Sequence, residues 1–422
     1  MKAFRITFLM MAMVLLVLPI RAQDQNLTVR DAIDLAIRSN PELAMTRTDV
    51  DRALAARWKA FGTTGFEVAH TREGVPDGGS GFGEQKWAAG LTLPFPLQSV
   101  SAWQAASGQA DANRLVADAT LLDLTAAVKE AYTRLLFAQE LVHLTSQEVD
   151  LASTLVEVVA ARVEVGEAAE IDLMKVQLEQ TSAQNALRDA ELLFENSRYS
   201  LFQTIGVDPE EQRYEIVFPD TLSYRAYDID QDEVMAALGA HPLSLAAEQQ
   251  ASAARKVVKA TGYGLLPDLY AGWFQQDFGT GYQFHGFEVG LRIGLPGADS
   301  RRADRAMAQA DLSDREQQAF RTELDLKRAA ESAWHGFETT REAVSAFTDS
   351  QNERAQELLQ RTREGYQLGQ LDLLTVLDAQ RVYLDIQRTY YQQLRDYYLE
   401  LIQLERLIGR DLVFTDEGTM AP

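Results

Sequence analysis

Hydrophobic and polar positions along this chain follow one schedule of periods, and the schedule runs twice. It opens with helical spacing. Thr28-Val-Arg-Asp31 forms a capping box, with Asp in place of the usual Glu, and Ala32, Ile33, Leu35, Ala36 and Ile37 follow it. The second copy reads Asp230-Gln-Asp-Glu233, then Val234, Met235, Ala237 and Leu238. Pro41 and Pro242 break these first helices, and second helices run to near Ala60 and Ala260. The period then drops to two. Phe287, Val289, Leu291 and Ile293 alternate with Gly286, Glu288, Gly290 and Arg292; in the first copy Trp87, Ala89, Leu91 and Leu93 alternate with small or polar residues. Earlier strands are expected near Gly65 to Arg72 and Pro267 to Gln275. Gly-rich connections turn each pair into a hairpin, over about 65–94 and about 267–294.

After Pro96 and Pro296 the period becomes helical again and stays so. Ser99 to Val163 and Ser300 to Tyr366 contain no proline and few glycines. A helix of about 65 residues would be about 100 Å long. Val128, Leu135, Val142, Val149, Val156 and Val163 recur every seven residues, with Ala131, Ala138 and Ala152 beside them to allow close approach. The last helix carries Tyr390, Leu394, Tyr397, Leu401, Leu404 and Ile408, a coiled-coil seam; its first-copy counterpart is weaker, with Glu191 and Arg198 at equivalent positions. Between paired helices lie Gly166 to Ile171 and Gly369 to Leu374, tight turns with a C-capping glycine.

The two copies superpose residue on residue. Gly166-Glu-Ala-Ala-Glu-Ile-Asp-Leu-Met174 matches Gly369-Gln-Leu-Asp-Leu-Leu-Thr-Val-Leu377 at an offset of 203, and the same offset holds from Leu201 to Asp208. Pro96 sits over Pro296, and Asn40-Pro41 over His241-Pro242. The expected organisation is a signal peptide (1–22), a first structural repeat (23–220, long helical pair about 97–206), a second (221–412, pair about 298–409) and a C-terminal tail (413–422). A duplicated unit of this size points to pseudo-symmetric architecture.

Composition narrows the setting. Lys2 and Arg5 precede an apolar run from Thr7 to Pro19, and Ile20-Arg21-Ala22 offers a cleavage site, as in a secretory signal. The run is short for a membrane anchor. No cysteine occurs, which excludes disulfides, thiolate metal sites and a lipidated N-terminus. The net charge of −22 argues against nucleic acid as a partner. After the signal no apolar stretch approaches the length of a membrane helix. Each strand, however, has the length of a tilted membrane-spanning strand, a length equally suited to an ordinary sheet over a core. Four strands cannot close a barrel, and open sheet edges are not tolerated in lipid. Three chains would supply twelve strands and six long helical pairs, so a homotrimer with one shared barrel satisfies both constraints.

With these elements in place, the chain resembles the TolC-type outer-membrane efflux proteins over nearly everything after the signal. The carrying segments are Ala32-Ile-Asp-Leu-Ala-Ile-Arg-Ser-Asn-Pro-Glu-Leu43, Gly369-Gln-Leu-Asp-Leu-Leu-Thr-Val-Leu-Asp-Ala-Gln380 and Leu401-Ile-Gln-Leu-Glu-Arg-Leu-Ile-Gly409. The resemblance implies a mainly α membrane protein of mixed α+β class. Four β-strands per chain would enter a trimeric 12-stranded transmembrane barrel, continued by a long periplasmic α-helical coiled-coil tunnel. It further implies a passive efflux conduit in the outer-membrane lipid, docked to a periplasmic adaptor and an inner-membrane pump. A periplasmic adaptor, or a structural coiled coil without a pore, is the competing expectation. The cargo stays open among drugs, metal ions and proteins.

No catalytic constellation is present, so no enzyme activity and no cofactor are expected. The five histidines are scattered without metal-ligand spacing, and the acidic run Asp228 to Glu233 lacks the glycine of a calcium loop and is expected to cap a helix. The candidate site is the pair of helical turns. The family's second-repeat pattern places two aspartates three apart at a pore aperture. Here Asp378 holds the second position, Thr375 occupies the first, and Asp372 lies one turn earlier. In the first repeat Asp172 matches Thr375, with Glu170 nearby. Three-fold symmetry would turn each carboxylate into a cation-favouring ring, whereas near a helix start the same residues serve as caps or solvated first-turn acids. Gly166, Gly369, Ile171 and Leu374 are the candidate adaptor-docking positions.

Overall fold

The structure is a computed structural model that describes residues 26–62, 66–74, 83–208, 217–264, 266–279, 281–292, 298–348 and 351–412. The expected signal peptide and C-terminal tail lie outside the described residues. So do residues 75–82, which include most of the Gly-rich loop.

The chain builds helix, helix, hairpin, long helix, turn, long helix, and then repeats the order. The first copy comprises α1 (Val29–Ser39), α2 (Pro41–Ala56) with a short 3-10 turn (Arg57–Phe61), β1 (Phe66–Glu73), β2 (Glu84–Leu93), α3 (Pro96–Glu164) and α4 (Glu170–Ile205). The second comprises α5 (Gln231–Ala237), α6 (Pro242–Tyr263), β3 (Asp268–Asp277), β4 (Gln283–Arg292), α7 (Ala298–Thr348), α8 (Gln351–Gln367) and α9 (Leu373–Ile408). The capping box at Thr28 forms in full: its hydroxyl accepts from Asp31 N–H while Asp31 accepts from Thr28 N–H. The second copy departs from it. Asp230 occupies the N-cap position of α5 without a side-chain cap hydrogen bond. Asn40 and His241 cap α2 and α6 ahead of Pro41 and Pro242, where a missing N–H costs nothing.

α3 is continuous over 69 residues. The matching stretch of the second copy is described as α7 and α8, on either side of residues 349 and 350, which lie outside the described residues.

The strands form one antiparallel sheet in the order β1-β2-β3-β4, so β1 and β4 are both edges. The register fixes what each face carries. Phe66 pairs with Leu91, Leu91 with Ala271 and Ala271 with Val289; Val68, Ala89, Trp273 and Phe287 form the next row. These apolar residues share one face and stand bare: Phe66 is 71% exposed, Phe287 81% and Val289 88%. The opposite face is mostly polar or small, with Lys86–Glu288 at 3.4 Å and Arg292–Glu67 at 3.8 Å, and it also carries Phe274 and Phe284. There Tyr270 lies across Gly90 and Gly272, and a Cβ on either would come within 2.7 Å of its ring or hydroxyl. Glycine is therefore required under Tyr270, an aromatic side chain covering an otherwise weak stretch of strand.

The main core sits midway along the helices. Leu124, Val128, Tyr132 and Leu135 of α3 meet Leu394, Tyr397, Leu401 and Leu404 of α9 there, all buried. The expected seam of α9 is borne out, with Tyr390 and Ile408 packed at its margins. The α3 seam follows expectation at Val128 and Leu135, but lower down the fully buried positions are Ala152, Leu155 and Val159. A strict seven-residue stripe drifts about 20° per heptad on an α-helix, so over several heptads a neighbouring row takes over. The segment from Val217 to Asp230 wraps this core and is tied down by tyrosines. Tyr132 donates to Asp220 (2.7 Å) with Leu27 O a further 2.8 Å neighbour of its oxygen, Tyr397 donates to Arg225 O (2.9 Å), and Tyr398 to Ser223 O (2.6 Å). Burial pushes all three phenols above their usual pKa, so they remain donors at any physiological pH.

Candidate functional site

The two turns at the far end of the long helices are built alike. Gly166 and Gly369 have φ of +78° and +71°, conformations that cost an L side chain roughly 1 kcal/mol or more. At each, the glycine N–H bonds three residues back and the next N–H five residues back: Gly166 to Val163 and Glu167 to Arg162, then Gly369 to Tyr366 and Gln370 to Gly365. This Schellman pattern satisfies the last carbonyls of α3 and α8. Leu371 folds over Gly365, where a Cβ would lie 2.7 Å from its Cδ1. A small apolar core of Leu155, Val159, Val176, Tyr366, Leu373 and Val376 holds the four helix ends together.

One cross-link joins the turns. Arg162, at the C-terminus of α3, donates to Tyr366 O at 2.8 Å and stacks 4.8 Å over the Tyr366 ring. The offset of 203 puts Arg162 opposite Gly365, so each copy supplies a different half of the contact. Sequence reasoning missed it. Its signal was the arginine in the last turn of α3, an arrangement that favours free carbonyls nearby.

The four candidate carboxylates divide by role. Asp372 is the N-cap of α9; it accepts from Thr375 N–H (2.9 Å) and from the Thr375 hydroxyl (2.5 Å), and these two bonds hold its carboxyl below the usual range. Asp172 lies in the first turn of α4, 3.0 Å from Lys175. Asp378 lies on α9 beside Arg381, its ion-pair partner. Glu170 opens α4 and is exposed. All four therefore gather at the turn end of the chain, two of them with a cation three residues on. Ile171 and Leu374 are exposed, at 61% and 73%. Val165, Met174 and Leu368 add further bare apolar surface around the same turns.

A second charged group lies in the midway core and was not singled out in the sequence. Lys129 of α3 is 1% exposed, and its ammonium bonds Glu405 of α9 and Asp411 beyond it. Burial pushes the Glu405 carboxyl up to about 7; the bond to Asp411 adds to this and Lys129 opposes it. Burial works the other way on Asp411, but its bonds from Glu405 and Lys129 outweigh it and hold this carboxyl below its usual range. In its protonated form Glu405 donates to the Asp411 carboxylate. A cleft of about 790 Å³ opens beside it, lined also by Arg30, Arg406 and Arg410.

His241 is buried as the cap of α6, and His70 stacks on Trp87 at 4.1 Å. Among the described residues no three metal-ligating side chains converge, and no helix is long and apolar enough to cross a membrane.

Known proteins supply the frame for these features. The chain matches the model of the outer membrane efflux protein family over residues 32–207 and 234–410, one match per repeat. No curated protein sequence matches it. Among solved structures, it is similar to the CmeC outer membrane channel of Campylobacter jejuni, with a TM-score of 0.78 at 14% identity over 90% of this chain and 85% of that one. It is similar to the outer membrane protein VceC of Vibrio cholerae, at 0.77 and 17% over 90% and 96%. It is also similar to the open state of the Neisseria gonorrhoeae MtrE outer membrane channel, at 0.75 and 17% over 93% of each chain. At these identities the likeness is one of fold.

Proposed function

The chain belongs to the outer membrane efflux protein family, and from that premise we propose that three copies form one passive conduit across the outer membrane. Their twelve strands close a barrel in the lipid, and their long helices continue it as a tunnel through the periplasm. The observation that carries this is the sheet: four strands, two unpaired edges, one bare apolar face and one polar face. Lipid leaves no partner for a free edge other than another strand. In this arrangement the apolar face meets lipid, and the face with Lys86, Glu288, Arg292 and Tyr270 lines the lumen. Membership in the family sets aside the adaptor and the pore-free coiled coil. Oligomeric mass with single-channel conductance tests the proposal; a water-soluble monomer would end it.

The finer assignment is that cargo moves outward, delivered by an inner-membrane pump through a periplasmic adaptor seated on the helical turns. The bare side chains of Ile171 and Leu374, beside rigid glycine caps, support docking at this end. A charged or bulky replacement at Gly369 is then expected to abolish export while membrane assembly persists. Export that survives such replacements at both Gly166 and Gly369 would place docking elsewhere.

At the same end, Asp378 and Asp172 contribute to a cation-selective aperture, and Glu170 adds negative charge. Their position supports this, while the ion pairs with Arg381 and Lys175 moderate the net field. Asp372 contributes chiefly as the cap that fixes where α9 starts. Planar-bilayer recordings of Asp378→Asn, alone and with Asp172→Asn, are expected to show weaker cation selectivity and weaker divalent block. Unchanged selectivity and block in both variants would refute the aperture.

A further inference from the structure

The apolar belt of the sheet is too short for the membrane it serves. Ten residues of strand rise about 31 Å along the strand, or about 23 Å across a bilayer at a typical tilt. The outward rows are apolar from Leu93, Leu269 and Leu291 as far as Trp87, where Gln275 and His285 already appear. Those rows cover about 16 Å of the roughly 25 Å that a barrel presents to hydrocarbon. The deficit lies at the helix side of the sheet.

The helix ends supply what is missing. Leu97 and Val100 of α3 are 50% and 44% exposed, and Trp58 of the turn after α2 is 66% exposed.

Charge is distributed in the same place. The chain has 62 acidic and 40 basic residues, yet no acid occurs in 52–66 or in 249–267, and 94–110 carries no charge at all. These membrane-side stretches hold Arg52 and Arg255, which pair with Asp49 and Glu316, and also Arg57, Lys59, Lys256 and Lys259. Among the described residues none of the three lysines has a carboxylate within ion-pair distance, and Arg57 instead lies 5.7 Å from the Trp58 ring. Long basic side chains with bare apolar neighbours are suited to a membrane interface, where the stem lies in the acyl boundary and the head meets phosphate.

We propose that the membrane-side ends of α2 and α6 form a basic and aromatic collar that binds the headgroups of anionic phospholipids in the periplasmic leaflet, with Trp58 at the boundary and Lys59, Lys256 and Lys259 on the phosphates. The collar rests on the barrel arrangement above. It adds a lipid preference that a barrel does not need: a closed barrel inserts in any bilayer of the right thickness, whereas the collar distinguishes charge.

The test uses the full mature protein in vesicles. In a variant with Trp87, Trp103, Trp273 and Trp334 replaced by Phe, Trp58 fluorescence reports contact with brominated phosphatidylglycerol or brominated phosphatidylcholine. A cation held near an anionic surface gains about fivefold in association, so quenching at low salt is expected to favour phosphatidylglycerol at least that much. The preference is expected to fall towards one in K59Q/K256Q/K259Q. On chains retaining every tryptophan, native mass spectrometry is expected to count fewer phosphatidylglycerol molecules per assembly in the triple variant than in the parent. Equal quenching by the two lipids, quenching by neither, or a preference that survives the triple variant would overturn the collar. The mass of the assembly in the same sample reports separately on the barrel: an intact trimer without lipid preference refutes the collar alone.

Discussion

Replacing Lys129 by Met removes the one buried lysine or arginine among the described residues and leaves its two carboxylates facing each other. Lys129 is 1% exposed and Glu405 7%, so solvent cannot take over that contact, whereas Asp411 is 66% exposed and can be hydrated. Removing one partner of a buried pair costs about 3–5 kcal/mol, whereas replacing both by apolar groups of similar volume is often neutral. Lys129→Met is therefore expected to lower the thermal midpoint of the detergent-purified protein, followed by far-ultraviolet circular dichroism, by on the order of 10 °C. Lys129→Met with Glu405→Leu is expected to recover most of that loss. Acidity supplies a second handle. Glu405 titrates at about 7 in the fold against 4.5 when unperturbed, so its folded pKa is raised. The stability linked to its proton is fully present below the unfolded value and is lost as the pH rises through about 7. A shift of that size corresponds to about 3 kcal/mol between the two limits. The parent is thus expected to lose stability from mildly acidic to mildly alkaline buffer, Glu405→Gln to lose less, and Lys129→Met to be worst on the alkaline side. A Lys129→Met protein that melts like the parent, or a double variant no better than the single, would refute the reasoning.

Other substitutions probe different parts of the fold. Gly166→Ala meets no atom within 4 Å and should cost only the left-handed strain, roughly 1 kcal/mol. Gly206→Ala carries the same strain and also overlaps Pro41 Cδ at 2.8 Å, so it is expected to melt several degrees lower than Gly166→Ala in the same assay. Arg162→Ser cuts the cross-link between the turns at Tyr366; a higher open probability in planar bilayers with unchanged oligomeric mass is expected, and unaltered gating would show that the link does not restrain the entrance. Leu401→Ala, at a fully buried seam position, is expected to cost about 2–5 kcal/mol on the same melting curves.

Much of this architecture was legible because its signals are local. Period-two alternation located β2 and β4 within a few residues, since a strand with one bare apolar face must alternate whatever it later pairs with. Prolines at 41, 96 and 242 marked helix starts because proline fits the first turn and little else in a helix. The turn glycines were legible for a similar reason: only a left-handed residue closes a Schellman turn between two long helices. Side-chain chemistry between distant elements was not legible. Lys129 and Glu405 are 276 residues apart, and Arg162 and Tyr366 are 204 apart. A lysine in an apolar run says only that it must find partners. The duplication misled in one respect, because it suggested equal halves. Asp230 does not repeat the cap at Thr28, and Arg162 stands where the second copy needs Gly365. Such differences break the internal symmetry, and the cross-link between the turns depends on one of them.

The most direct test of the conduit is the oligomeric mass of protein purified from outer membranes, measured in detergent on the same preparation that is reconstituted for single-channel recording. A mass of three chains, accompanied by small cation-selective currents that divalent ions block, is the predicted result. A soluble monomer or dimer without conductance would contradict it, because the bare apolar face and two free edges of the sheet would then have to be satisfied without lipid and without a second and third copy.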